Sequence, residues 1–120
     1  MKQFFSVLLV STLFISASSF KTNHYSERPT SRIEVIFSHQ LDFNDVVKIK
    51  LDLSQKGIVI NFKELKFDEE NKLTAIDFQV DCKDGYHGGS SKTNLTDQSR
   101  FGFFRDYSKD AKVVFRAGDL

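Results

Sequence analysis

Cysteine occurs once in the 120 residues and proline once, and neither sign of charge prevails, with 17 Lys and Arg against 16 Asp and Glu. Each scarcity excludes something. The single thiol, Cys82, cannot form an internal disulfide, so the fold must rest on its apolar core. Cys82 closes an alternating run and reads as a buried strand residue, because free cysteine behaves as a small hydrophobe. Lys2 is the only charge before residue 20, which leaves the rest of the chain electrically balanced. A balanced domain lacks the positive field behind generic binding to nucleic acid or anionic membranes. Signatures of catalysis are missing too: the chain has no His-Glu-x-x-His, no Gly-x-Ser-x-Gly elbow and no phosphate loop ending in Gly-Lys-Ser/Thr.

What is present begins with a leader. Lys2 precedes the apolar run "FFSVLLVSTLFI" (Phe4 to Ile15), and the small residues of "SASSF" follow. That order is the one signal peptidase reads, and the run is short of the ~20 residues that span a bilayer. Residues 1–19 are therefore expected to be a secretory signal peptide, with no membrane span after its cleavage and a secreted or periplasmic product. Residues 20–31, polar and carrying the only proline, Pro29, read as a flexible lead-in, and residues 32–118 as a single domain.

Within that domain "RIEVIF" (Arg32 to Phe37) alternates, with Ile33, Val35 and Phe37 on one face, as a half-buried strand does. A helix is expected from about Phe43 to Gln55. Asp42 is its N-cap, Asp45 sits in the first turn, Val46, Ile49 and Leu53 form an apolar stripe, and Gly57 ends it. "IVINFKELKF" (Ile58 to Phe67) reads as a strand whose parity slips near Lys63-Glu64, the mark of a bulge. After the polar turn Asp68 to Lys72, "LTAIDFQVDCK" alternates most regularly and closes a long antiparallel hairpin. Asp84 to Arg100, rich in glycine and serine, is expected to be a loop, followed by short strands at "FGFFRDY" (Phe101 to Tyr107) and "KVVFRA" (Lys112 to Ala117). The fold class implied is α+β, one helix packed on an antiparallel sheet, in the order β-α-β-β with one or two further short strands.

The segment "LDFNDVVKIKLDLSQKGIVINFKELKFDEENKLTAIDFQV" resembles the extracytoplasmic C-terminal module of bacterial antibiotic-sensor-type membrane metallopeptidases. The residues that carry the likeness are Asp42 as a cap, Ile49-Lys50 and Asp52-Leu53 in the helix, Lys56-Gly57-Ile58 opening a strand, and Leu73-Thr74-Ala75-Ile76 in the next. The family's glycine- and serine-rich loop falls at Gly85 to Ser91, so the likeness spans about residues 42–91. It implies a bacterial envelope protein. It carries no chemistry, since the parents' zinc motif is absent and no catalytic residue transfers.

Four features remain. "GYHGGSS" places His87 near Asp81 and Asp84, the set from which a small secreted hydrolase or metal-dependent enzyme would have to be built; otherwise it is a solvated connection. His24, His39 and His87 are too scattered for a metal site, and no cofactor is implied. Phe101, Phe103, Phe104 and Tyr107 crowd one stretch and are candidates for a partner-binding patch, or else for core. "NLT" (Asn94 to Thr96) fits a glycosylation sequon, without meaning in a bacterium. The expected function is a small, exported, non-catalytic binding module of the cell envelope, engaging a protein or peptide through an open sheet surface or edge. The alternative is the His87 enzyme.

Overall fold

The structure, a computed structural model, describes residues 31–120, so the expected signal peptide and most of the lead-in lie outside the described residues. The helix forms where its caps require it. Asp42 accepts the Asp45 backbone N–H (2.8 Å) while Asp45 accepts that of Asp42 (3.0 Å), a reciprocal box that satisfies two amides the first turn leaves open. At the other end Gly57, at φ 82°, takes the left-handed turn, and the N–H groups of Gly57 and Ile58 return to the carbonyls of Ser54 and Leu53. Between these stops runs α1 (Phe43–Gln55), burying Val46 and Leu53.

Among the described residues six strands accompany it: β1 (Arg32–Phe37), β2 (Val59–Phe67), β3 (Leu73–Asp81), β4 (His87–Lys92), β5 (Phe101–Asp106) and β6 (Phe115–Asp119). They form two antiparallel sheets, ordered β1-β5-β6 and β2-β3-β4, in place of the single sheet expected. The α+β class stands, but three strands follow the β2–β3 hairpin, not one or two. The β2–β3 register shifts between Phe62 and Glu64, where the alternation slips. Its turn is held by Asp68, whose carboxylate accepts the N–H groups of Glu70 (2.9 Å) and Lys72 (3.0 Å).

The strand that sequence patterning misses is β4. "HGGSSK" carries no large apolar residue, so neither periodicity nor propensity marks it. Its glycines are there for closeness. A Cβ at Gly89 would collide with the Phe78 carbonyl oxygen, and one at Gly88 would stand 3.2 Å from the Phe115 ring. The last strand also begins later than expected, at Phe115.

Phe78 is the hub that joins the sheets. From β3 its ring lies 5.4 Å from Phe37 on β1 and 5.8 and 6.3 Å from Phe101 and Phe103 on β5. All four rings are buried, and such pairs add about 0.5–1.5 kcal/mol each beyond their area. Cys82, fully buried just past β3, belongs to this core as expected. A second seam runs from β4 to β6, where Lys92 reaches Asp119 (3.2 Å) and Tyr86 meets Phe115 (6.2 Å). The helix stands between the other two margins: Ile49 and Leu53 face β1 across a groove, and Phe43 meets Phe67 of β2 at 5.9 Å.

Candidate functional site

The enzyme-like stretch resolves into structure. Asp84 accepts from Arg105 Nε (3.0 Å) and Nη2 (2.8 Å), and the same guanidinium lies over the rings of Tyr86 (4.5 Å) and Tyr107 (4.4 Å). Its Nη1 donates to the carbonyls of Asp106 (2.7 Å) and Val114 (3.3 Å). "DGY" and "RDY" are thus two halves of one lock, binding the β3–β4 turn to the end of β5. Asp84 is committed to it.

His87 opens β4 directly across from Asp81 in the strand register, beside an open hollow that also touches Val59, Asn61 and Gln79. Asp81 accepts the Lys83 N–H (2.8 Å), and chiefly for that reason its pKa is held below the ordinary 3.8. A carboxylate so stabilised is a poor general base near neutral pH. Among the described residues no group of three His, Cys, Asp or Glu side chains could hold a metal ion. His24 lies outside those residues. His39 bridges two carboxylates through opposite ring nitrogens, Nε2 to Asp68 (2.7 Å) and Nδ1 to Asp97 (3.4 Å). The imidazole therefore links three connections to one another, with the two carboxylates on opposite ring nitrogens.

The aromatic stretch faces inward. Phe101 and Phe103 join the core, Phe104 is 6% exposed beneath the Arg32 guanidinium, and Tyr107 is half-buried against Arg105. Of the four residues of the candidate patch, the three phenylalanines are buried and Tyr107 is half-buried. The physical reason is the hub at Phe78, which needs Phe101 and Phe103 on one face of β5 while Arg32 covers the other.

Among the described residues no strand pairs with the outer margin of β1. Tyr107 donates its backbone N–H to the Ser31 carbonyl (3.3 Å), which sets the phase of the β1–β5 ladder. Ile33, Val35 and Phe37 bond to β5; Arg32, Glu34 and Ile36 turn their N–H and C=O groups outward, as alternate residues of an antiparallel edge must. Alongside runs a groove of about 320 Å³ between β1 and α1. Ile33, Val35, Ile49 and Leu53 supply its apolar lining, with Arg32, Glu34, Asp52 and Lys56 as its charged groups. Glu34 is fixed from two sides, by Arg32 Nε (3.1 Å) and Arg100 Nη2 (3.1 Å). The Arg32 hydrogen bond, then that of Arg100, holds the Glu34 pKa below 4.5 against the effect of burial, so it is ionised at neutral pH. None of these groove residues stands out in sequence as a site, because nothing local tells which strand lies at an edge.

Among the described residues no helix is long and apolar enough to cross a membrane. The chain matches no family model, and neither a curated protein nor a solved structure matches it.

Proposed function

We propose that the chain is a small exported, non-catalytic binding module of the bacterial envelope, which takes an extended peptide strand of a partner protein along the open edge of β1. One observation carries the reading: an outward-facing row of backbone donors and acceptors beside a groove lined by four apolar and four charged side chains. Strand addition draws its affinity from such a row, and its selectivity from pockets for alternate side chains. In this groove the Ile33, Val35, Ile49 and Leu53 side receives apolar residues, and the Arg32 and Glu34 side receives charged ones. The leader motif and the likeness to the sensor-peptidase module support an envelope location.

The test uses peptides selected by display against the exported protein. Glu34→Pro removes one outward N–H that the β1–β5 ladder does not use, and Glu34→Thr removes the same carboxylate but keeps the N–H. Binding is expected to survive in the threonine variant and to be lost in the proline one. Equal binding by both sinks the strand-addition reading.

A second reading, a small secreted hydrolase using His87 with Asp81 or Asp84, rests on the cross-strand pairing of His87 and Asp81. Hydrolysis of model esters or peptides that disappears in His87→Ala would be its support.

A further inference from the structure

Net balance conceals a local segregation of charge on α1. Phe43, Val47 and Leu51 recur every four residues and are 49%, 39% and 59% exposed. At about 100° and about 1.5 Å per residue they form a ridge roughly 12 Å long. By the same geometry the ridge occupies the flank of the helix opposite the one whose Ile49, Asp52 and Lys56 line the β1 groove. Both acids of the helix are elsewhere: Asp45 closes the N-terminal box and Asp52 lines the groove. The basic residues flanking the ridge are Lys48 and Lys50, in the rows that also hold the uncharged Asn44 and Ser54, and no ion pair engages either lysine among the described residues.

A row of large exposed apolar side chains marks an interaction surface, and its lysine border selects the occupant. A second copy laid antiparallel across Val47 would gather four lysines around one small contact while the helix's own acids lie on other faces, which opposes self-association. An anionic surface has the complementary sign. We infer that α1 docks the domain peripherally on an anionic lipid surface. Phe43, Val47 and Leu51 enter the boundary between headgroups and acyl chains, and Lys48 and Lys50 face the lipid phosphates. Because the domain as a whole is balanced, the attraction acts at contact and not as a long-range field. Docked this way, the protein keeps the β1 groove on the far flank of the helix, open to solvent.

The chain lacks tryptophan, so Leu51→Trp introduces a single fluorescent reporter on the ridge, and Val113→Trp one on an exposed site outside it. The exported protein is mixed with vesicles of phosphatidylglycerol and phosphatidylcholine in equal parts, and with vesicles of phosphatidylcholine alone. The expected result is a blue shift of the emission in the Leu51→Trp variant but not in the Val113→Trp variant, with the anionic vesicles only. Lys48→Gln with Lys50→Gln should weaken partition about thirtyfold, the effect of two lysines at such a surface. Val47→Ser with Leu51→Ser should abolish it while leaving the unfolding midpoint near that of the parent, since both side chains are exposed. The proposal is overturned by equal partition into both vesicles, by partition that neither double variant changes, or by absence of vesicle binding. Concentration-dependent association of the chain that Leu51→Ser removes would also overturn it, by giving the ridge to a second copy.

Discussion

Replacing Arg105 by methionine tests the lock between the β3–β4 turn and β5. The side chain is 11% exposed and its partner Asp84 is 18% exposed, so solvent screens the pair weakly. Methionine keeps much of the volume and the contact with the Tyr86 and Tyr107 rings but removes every donor. Asp84 loses both bonds from the guanidinium, and the carbonyls of Asp106 and Val114 lose the Nη1 donor. Breaking a fully buried pair from one side costs about 3–5 kcal/mol. Asp84 lies in a turn and can swing toward water, which lowers the figure to roughly 2–4 kcal/mol, including the two cation–π contacts at about 0.5–1 kcal/mol each.

For a domain of this size 1 kcal/mol moves the midpoint by about 4–8 °C, so a fall of roughly 10–25 °C is expected. Thermal and urea unfolding followed by circular dichroism measure it. A cycle with Asp84→Ala isolates the pair: the double variant should be more stable than the sum of the single losses predicts, by about 1–3 kcal/mol. If Arg105→Met unfolds within about 0.5 kcal/mol of the parent, a range typical of ordinary surface changes, the lock contributes nothing and the reasoning fails.

Gly102 lies where β5 meets β1 so closely that a Cβ would strike the Val35 carbonyl oxygen. Gly102→Ala should therefore destabilise by more than the ~1–3 kcal/mol typical of an overpacked core, or fail to fold, as expression and urea unfolding will report. Asp42→Ala removes one half of the capping box and should cost about 1 kcal/mol in the same assay, with the helix ends frayed in hydrogen exchange. His39 has its pKa raised above 6.5, first by its hydrogen bond to Asp68 and further by Asp97, while Asp68 is lowered below 3.8, first by that same bond. The His39 contribution is full below 6.5 and is lost as pH rises through the raised value; that of Asp68 is full above 3.8 and is lost as pH falls through the lowered one. The pair should support the fold most between those limits, and His39→Gln should flatten the loss of stability on the alkaline side, read as unfolding midpoints across pH.

The elements governed by local chemistry were legible in the sequence. Asp42, Asp45 and Gly57 delimit α1 by capping alone, and the Lys63-Glu64 slip of parity coincides with a real shift of register. The regular alternation of β3 places Ile76, Phe78 and Val80 in the core. What was not legible depends on contacts between distant segments. β4 is a strand because Gly88 and Gly89 let Phe115 and the Phe78 carbonyl come near, and neither partner is visible within "HGGSSK". Arg105 and Asp84, 21 residues apart, convert a loop that resembles an active site into a fastening. The aromatic run was ambiguous for a like reason: parity tells which rings share a face, but only the position of Phe78 tells which face is inside.

That dependence explains why the candidate site lies beside α1 and not at the histidine. Phe78 and the β4–β6 seam draw two sheets together on one side, leaving β1 and β2 as margins on the other. One helix stands between those margins. It buries Val46 and Leu53, meets β2 through Phe43, and leaves a groove along β1. Among the described residues no second helix or further strand fills that groove. Because the flank of α1 toward β1 presents Asp52 together with Lys56 and the exposed ridge is flanked by Lys48 and Lys50 only, the two surfaces beside it differ in chemistry. The groove suits an extended segment with backbone donors and acceptors of its own, and the ridge suits an anionic boundary. Variants on one flank should leave the other unaffected: Glu34→Pro should block peptide binding without changing vesicle partition, and Leu51→Ser should do the reverse.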